Sequence, residues 1–110
     1  MAGLAVLTAC AAACSTSASR AANLQQPPSS IVALGDSVPR GTNCDCHPFP
    51  PLTAAGLSTK TGDTVGADND SVAGATTSSV LRQLMSNESV IDDVTNADVV
   101  EIEIGANDVG

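Results

Sequence analysis

From residue 30 onward, apolar residues come in short runs that are separated by polar turns. The first run, residues 30–34, is continuous and ends at Gly35, a pattern typical of a strand buried on both faces of a parallel sheet. In the last run, residues 98–104, apolar residues alternate with Glu101 and Glu103. We therefore predict a second strand there, with one partly polar face, that leads into Gly105.

Helical spacing is clearest between these two runs. Apolar residues recur at the spacing of one helix face at Val80, Leu81, Leu84 and Met85. Thr76 or Thr77 can cap this helix, and Asn87 can end it. Weaker signals predict a turn-rich loop at 41–51, a short helix at 51–57, a strand at 64–67 leading into a turn at 68–70, and a brief helical turn at 89–94. Strands and helices alternate, which predicts an open α/β sheet.

The chain has 110 residues, enough for one small domain. Residues 1–14 carry a short apolar segment of the kind found in export signals. Residues 15–29 consist largely of Ser, Thr, Ala, Asn, Gln and Pro, which is typical of a flexible tether. We expect residues 30–110 to form the folded part.

The apolar start also suggests a lipid anchor. The run of residues 7–10 ends at Cys10 and resembles a bacterial lipobox, and Cys14 is a second candidate with a poorer match. We therefore predict a secreted or lipid-anchored protein of the bacterial cell envelope, tethered through Cys10. No Lys or Arg precedes the apolar run, and the alternative interpretation is an alanine-rich start of a cytoplasmic domain.

Composition excludes some classes of partner. The net charge is −8, and the four basic residues are scattered along the chain. Phosphate backbones are therefore repelled rather than attracted, and we expect no nucleic-acid binding. Phe49 is the only aromatic residue, which argues against a base-stacking surface or an aromatic sugar platform.

Three short segments carry candidate chemistry, and two of them follow predicted strands. Ser37, in Gly-Asp-Ser, is a candidate nucleophile on a sharp turn. Gly74 can offer its backbone N–H to an oxyanion, because no Cβ blocks a close approach. Asn107, in Gly-Ala-Asn-Asp, can donate its side-chain amide to the same oxyanion. Taken alone, each segment is a weak signal, and a turn or a helix cap is the favoured interpretation of the segments with Ser37 and Gly74. We interpret Asp108 as a turn or structural acid.

The chain resembles the SGNH (GDSL) hydrolases in the order of three motifs. These are a strand followed by Gly-Asp-Ser, then Asn69 followed by Gly74, then a strand followed by Gly-Ala-Asn-Asp. The resemblance covers residues 31–110, and the stretch 35–51 is similar to secreted actinobacterial lipases and esterases. It implies a flavodoxin-like three-layer α/β/α fold with a parallel sheet, whose C-terminal part is expected to be missing. It also implies a small-molecule or lipid ester as substrate, no metal or cofactor, and catalysis by Ser37. The implied oxyanion hole consists of the Ser37 N–H, the Gly74 N–H and the Asn107 side chain.

One departure from the family pattern concerns the base. The family's Asp-x-x-His motif, which supplies the general base and its orienting acid, does not occur in this sequence. The only histidine, His47, lies in a Cys- and Pro-rich loop that has no catalytic task in the family. We therefore expect this form of the chain to be inactive. The alternative is a non-catalytic envelope lipoprotein that uses the same crevice for binding.

Cys44 and Cys46 flank Asp45 in the loop that contains His47. An exported protein is expected to hold its cysteines in disulfides. A bond between these two would close a very tight ring, so we predict partners in a missing part of the protein. The alternative is a thiolate metal site built on Cys44, Cys46 and His47, although the spacing is unlike that of zinc sites.

Overall fold

The structure is a computed structural model that describes residues 26–110. The elements in chain order are β1 (Ser30–Gly35), α1 (Ser37–Arg40), α2 (Phe49–Thr61), β2 (Gly66–Asn69), α3 (Thr77–Ser86), α4 (Glu88–Asn96) and β3 (Val99–Glu103). The predicted export signal, with Cys10 and Cys14, lies outside the described residues, as does most of the predicted tether. Within residues 26–110, no helix has the length and apolar character needed to cross a membrane.

The three strands form one parallel sheet in the order β2-β1-β3. β1 lies in the centre, and its residues from Ile31 to Gly35 are buried. Ile31 pairs with Ala67 on one side and with Val99 on the other. Because β1 has a strand on each edge and helices on both faces, its apolar side chains do not contact water, which explains its continuous apolar run. The predicted parallel sheet with a buried first strand is confirmed.

Two apolar clusters, one on each face of the sheet, make up the core. On the first face, Ile31 packs with Ala54 of α2 and with Val65. On the second face, Leu34 packs with Val80 of α3 and Val90 of α4. Because Ile31 and Leu34 differ by an odd number of positions, they point to opposite faces of the strand. The molecule therefore has the α/β/α layering and the strand order of a flavodoxin-like fold.

The helix predicted at 51–57 is longer than expected, and the loop before it is shorter. α2 starts at Phe49, so that Pro50 and Pro51 lie in its first turn, and it continues to Thr61. Proline is tolerated there because the first N–H groups of a helix have no partner within it, and its fixed φ suits the helix. The assignment of Pro50 to the loop was therefore wrong, and Pro51, predicted where the loop meets the helix, belongs to the helix.

The turn predicted at 68–70 is also corrected. Asp68 and Asn69 belong to β2, where they pair with Val32 and Ala33 of the central strand. Asp and Asn favour turns in isolation, but pairing with a buried strand outweighs that local preference. Val65, predicted within the strand, precedes it and is buried against Ile31.

The helix predicted after Thr76 is confirmed. Thr76 caps α3, because its Oγ1 accepts a hydrogen bond from the Ser79 N–H. In return, the Ser79 Oγ accepts a hydrogen bond from the Thr76 N–H. Asn87 ends α3 and precedes α4, which starts one residue before the helical turn predicted at 89–94 and ends two residues after it. Such reciprocal capping fixes where the chain enters the helix. The start of α3 is therefore fixed at Thr77.

Candidate active site

The three candidate segments meet at the edge of the sheet where the parallel strands end. β1 ends at Gly35, which pairs with Glu103 at the end of β3. The segment after β2 continues alongside β1, because the Val72 N–H donates to the Gly35 carbonyl at 2.9 Å. Ligands of open α/β sheets bind at this edge. The expected convergence of the three segments is therefore found in the structure.

Gly35 is needed for close packing at this edge. A Cβ at this position would lie 2.1 Å from the Glu103 carbonyl oxygen and 2.6 Å from Cγ of Pro39. The sequence suggested that this glycine permits a sharp turn, but its φ is not positive. What the site requires of Gly35 is the absence of a side chain between β3 and α1.

Asp36 and Ser37 begin α1. Asp36 is only 2% exposed, and its Oδ1 accepts the Val38 N–H at 3.0 Å, which caps the helix. Ser37 is consequently the first helical residue, half-buried, and no residue of the described range hydrogen-bonds its side chain. An N-terminal hydroxyl that no neighbour occupies is available for chemistry.

Gly74 lies at a turn between β2 and α3. The Ala75 N–H donates to the Val72 carbonyl at 3.0 Å, and Gly74 has φ +78°. A positive φ at the third position of a four-residue turn favours glycine. A Cβ on Gly74 would meet nothing within 4 Å, so the turn borders open space. Its N–H has no acceptor within residues 26–110 and is free to donate.

Asn107 is fixed next to this turn. Its Nδ2 donates to the carbonyl of Ala75, the residue after Gly74, at 2.9 Å. An amide nitrogen carries two hydrogens, so this bond holds the side chain in place and leaves the second hydrogen for a ligand. The structure thus places two of the predicted oxyanion donors on adjacent segments.

Asp108 attaches the same loop to a helix. Its carboxylate accepts the Thr77 N–H at 3.1 Å and the Thr77 hydroxyl at 2.8 Å. Thr77 is the first residue of α3, where N–H groups lack partners within the helix and a negative charge is favourable. Asp108 therefore has the structural role that the sequence suggested for it, and it holds Asn107 near Gly74.

Two further side chains, which no sequence pattern assigns to the site, tie α1 to the segment after β2. Asn69 donates from Nδ2 to the Pro39 carbonyl at 2.7 Å and accepts the Ser71 N–H at 3.2 Å. Arg40 donates from Nη1 to the Ser71 carbonyl at 3.2 Å. The family resemblance includes Asn69 without giving it a role, and Arg40 is one of the four basic residues scattered along the sequence. No local pattern shows that either reaches a segment about 30 residues away.

The Cys-rich loop differs from expectation. Cys44 and Cys46 are bonded to each other, with Cα atoms 5.1 Å apart, so the prediction of partners elsewhere in the protein was wrong. A Cα separation of this size lies within the usual range for disulfides. The bond also removes the two thiolates that the metal alternative requires. Among residues 26–110, no group of three or more His, Cys, Asp or Glu side chains is arranged to hold a metal ion.

His47 follows this disulfide and is exposed. Within the described part of the chain it makes no hydrogen bond to Ser37 or to any other candidate residue. The structure therefore places Asn107 beside the Gly74 turn, and it hydrogen-bonds that segment to the end of β1, which leads into Ser37. Among the described residues, none of the three is paired with an imidazole.

No family model matches the chain, and no curated protein matches it.

Proposed function

We propose that this chain carries the nucleophile and the oxyanion-binding part of a serine ester hydrolase. The observation that carries the proposal is that the segments containing Ser37, Gly74 and Asn107 are hydrogen-bonded to one another at the carboxyl edge of the sheet. Two hydrogen bonds support it, one from the Val72 N–H to Gly35 and one from Asn107 to Ala75. The resemblance to SGNH hydrolases assigns the same three residues from their motifs.

The reaction would be acyl transfer. The Ser37 Oγ attacks the ester carbonyl carbon, its proton passes to a base, and the carbonyl oxygen becomes an oxyanion. The C–O bond to the alcohol then breaks, and the alcohol leaves after taking up a proton. Water later releases the acid from the acyl-serine. Small-molecule or lipid esters are the substrate class, and the mechanism needs no metal or cofactor.

The free donors at the edge suit the charge that develops in this reaction. The N–H groups of Ser37 and Gly74 have no acceptor in the described residues, and Asn107 retains one amide hydrogen. Fixed donors of this kind stabilise the transition state more than the substrate, and each is worth about 3 kcal/mol in serine hydrolases. Because each is held by backbone or side-chain hydrogen bonds, little reorganisation is required.

The base is the missing component. A serine hydroxyl is a weak nucleophile unless a neighbouring base takes its proton. The sequence contains one histidine, His47, and it lies exposed in the disulfide loop. We therefore expect slow acylation that added imidazole accelerates.

The test is labelling of the full chain with a fluorophosphonate probe, with and without imidazole. We expect labelling of Ser37, faster with imidazole, and none in Ser37→Ala. Ser89→Ala is the matched control, since Ser89 is exposed on α4 and has no side-chain hydrogen bond among residues 26–110. Asn107→Ala should slow labelling by about 100-fold, the usual effect of losing one oxyanion donor.

Two outcomes would contradict the proposal. Equal labelling of Ser37→Ala and the wild type would show that Ser37 is not the nucleophile. No labelling of the wild type even with imidazole would favour the alternative, a crevice that binds without catalysis. The proposed location, secreted or lipid-anchored through Cys10, rests on the sequence alone.

A further inference from the structure

The loop between α1 and α2 carries a disulfide that joins no two elements of the fold. Cys44 and Cys46 are two positions apart, so their bond encloses a single residue, Asp45. A disulfide stabilises a protein mainly by restricting the unfolded chain, and the effect decreases as the enclosed loop shortens. This bond therefore contributes little to the stability of the domain.

Other contacts hold the ends of the loop. At its start, the Gly41 N–H donates to the Val38 carbonyl at 3.0 Å, and the Thr42 N–H donates to the Ser37 carbonyl at 3.0 Å. Gly41 also lies directly against the ring of Pro48, since a Cβ on Gly41 would be 3.0 Å from Pro48 Cβ. The loop is closed at Gly41 and Pro48 without help from the cysteines.

The disulfide is also open to solvent. Every residue from Thr42 to His47 is exposed, whereas the cores on both faces of the sheet lie elsewhere in the chain. Disulfides that are buried and structural resist reduction, and exposed ones are those that exchange with thiols. The disulfide is therefore accessible to thiols, and the fold does not depend on it.

We propose that Cys44–Cys46 is a thiol–disulfide exchange site whose reaction partner is a dithiol. One thiolate of the dithiol attacks the sulfur of one cysteine and forms a mixed disulfide, and the other cysteine leaves as a thiolate. The second thiolate of the dithiol then attacks its own bonded sulfur, closes to a disulfide and releases the first cysteine. The protein gains two electrons and becomes a dithiol, while the partner is oxidised.

This activity does not depend on ester hydrolysis. Ser37 takes no part in the exchange, and thiol content can be measured in a chain without any esterase activity. Failure of one proposal therefore leaves the other unaffected.

The experiment compares the rate of reduction by dithiothreitol in the folded chain and in the same chain unfolded in urea. Samples are quenched with iodoacetamide, digested with trypsin and weighed by mass spectrometry. Cleavage after Arg40 and Lys60 yields a peptide of residues 41–60 that contains both cysteines, while Cys10 and Cys14 fall in the peptide of residues 1–20. No cysteine has to be substituted to assign the signal.

We expect the two rates to agree within about tenfold, because no opening of the fold is needed to reach an exposed bond. The reduced protein should keep its circular dichroism spectrum, and so should the double variant Cys44→Ser/Cys46→Ser. Cys44→Ser alone should form a mixed disulfide at Cys46 when it is exposed to glutathione disulfide, as the Cys46 thiolate attacks one sulfur and one glutathione leaves as a thiolate. The double variant is the control that cannot form it.

Three results would overturn the proposal. Reduction more than about tenfold slower in the folded chain would show that the bond is protected. Loss of the folded spectrum on reduction, or in the double variant, would show that the bond is structural. Free thiols at both positions in air-oxidised protein would show that the bond does not form.

Discussion

At the scale of the residue, Gly35 illustrates how one missing side chain shapes the site. It stands at the end of the central strand, between the backbone of Glu103 and the ring of Pro39. Both neighbours belong to elements that carry or flank candidate catalytic residues. A larger residue there must displace either β3 or α1, and Ser37 would move with the latter.

We predict that Gly35→Ala lowers the free energy of unfolding by about 3 kcal/mol, the range seen when a buried site is overfilled. The physical reason is the 2.1 Å approach of the new Cβ to the Glu103 oxygen, an atom of the backbone that cannot rotate away. Urea unfolding followed by circular dichroism measures the change.

Gly56→Ala is the matched control for this variant. Gly56 lies within α2, and a Cβ there would meet nothing within 4 Å. Alanine favours a helix over glycine, so this variant should be about 0.5 to 1 kcal/mol more stable than the wild type. If both substitutions changed stability in the same direction, the packing argument for Gly35 would be wrong.

At the scale of the element, two carboxyl groups connect the end of β2 to α4. Asp70 follows β2, and its Oδ2 is buried with no donor among the described residues. Burial raises the pKa of Asp70, and so do the neighbouring charges of Asp93 on α4 and Asp68 on β2. Two carboxylates cannot hydrogen-bond to each other, because neither has a hydrogen to donate. When Asp70 is protonated, its hydroxyl can donate a hydrogen bond to Asp93.

This pair gives a pH dependence with a definite sign. The folded protein keeps the Asp70 proton to a higher pH than the unfolded chain, whose pKa is near the ordinary value of 3.8. The free energy of unfolding therefore falls as pH rises from that value through the raised pKa of the folded state. The cost of ionising Asp70 is present above the raised pKa of the folded state and is relieved in acid.

We predict that Asp93→Asn stabilises the protein by about 0.5 kcal/mol at pH 7, the size of a like-charge pair near a surface. The gain should shrink toward pH 4, because the raised pKa of Asp70 favours uptake of its proton in acid. Urea unfolding at the two pH values measures it. Asp92→Asn, an exposed neighbour on the same helix, should show no such difference between pH 4 and pH 7, and a matching difference would refute the pairing.

The elements were predictable where a single principle decides them. The apolar run of β1 and the capped stripe of α3 can be recognised without tertiary contacts, because each leaves a continuous local pattern in the sequence. β2 was misplaced because Asp68 and Asn69 are held in a strand by Val32 and Ala33, which lie far away in the sequence. The contacts of Arg40 and Asn69 at the site were missed for the same reason.

At the scale of the whole molecule, the two faces of the described sheet are covered unequally. Val100 and Ile102 of β3 project from the face that α3 and α4 cover elsewhere, and Ile102 is 58% exposed. Within the described sheet, β3 has a neighbour only on the side of β1. An apolar strand at a sheet edge is a site of association between chains.

We predict that the wild type associates in a concentration-dependent manner and that Ile102→Lys reduces this association. A lysine on an edge strand places a charge where a second strand would otherwise add. Stability should change by less than about 1 kcal/mol, because the side chain is largely exposed. Sedimentation velocity over a range of concentrations measures the effect.

Met85→Lys is the control for charge alone. Met85 is 73% exposed on α3, away from the strand edge, and its substitution adds the same charge. Equal association of the two variants would show that net charge, rather than the edge of β3, controls association.

The strand order has a consequence in time. β1 is made first but lies between β2 and β3, and Asp98, which accepts the Ser29 N–H at the start of the sheet, is 69 residues further along the chain. At about 5–20 residues per second, a ribosome needs several seconds to deliver that second neighbour. Closing so long a loop also slows folding, because the chain loses conformational entropy before the contacts between β1 and β3 form. β1, the most buried strand of the folded protein, therefore has one unpaired edge until β3 has been synthesised and pairs with it.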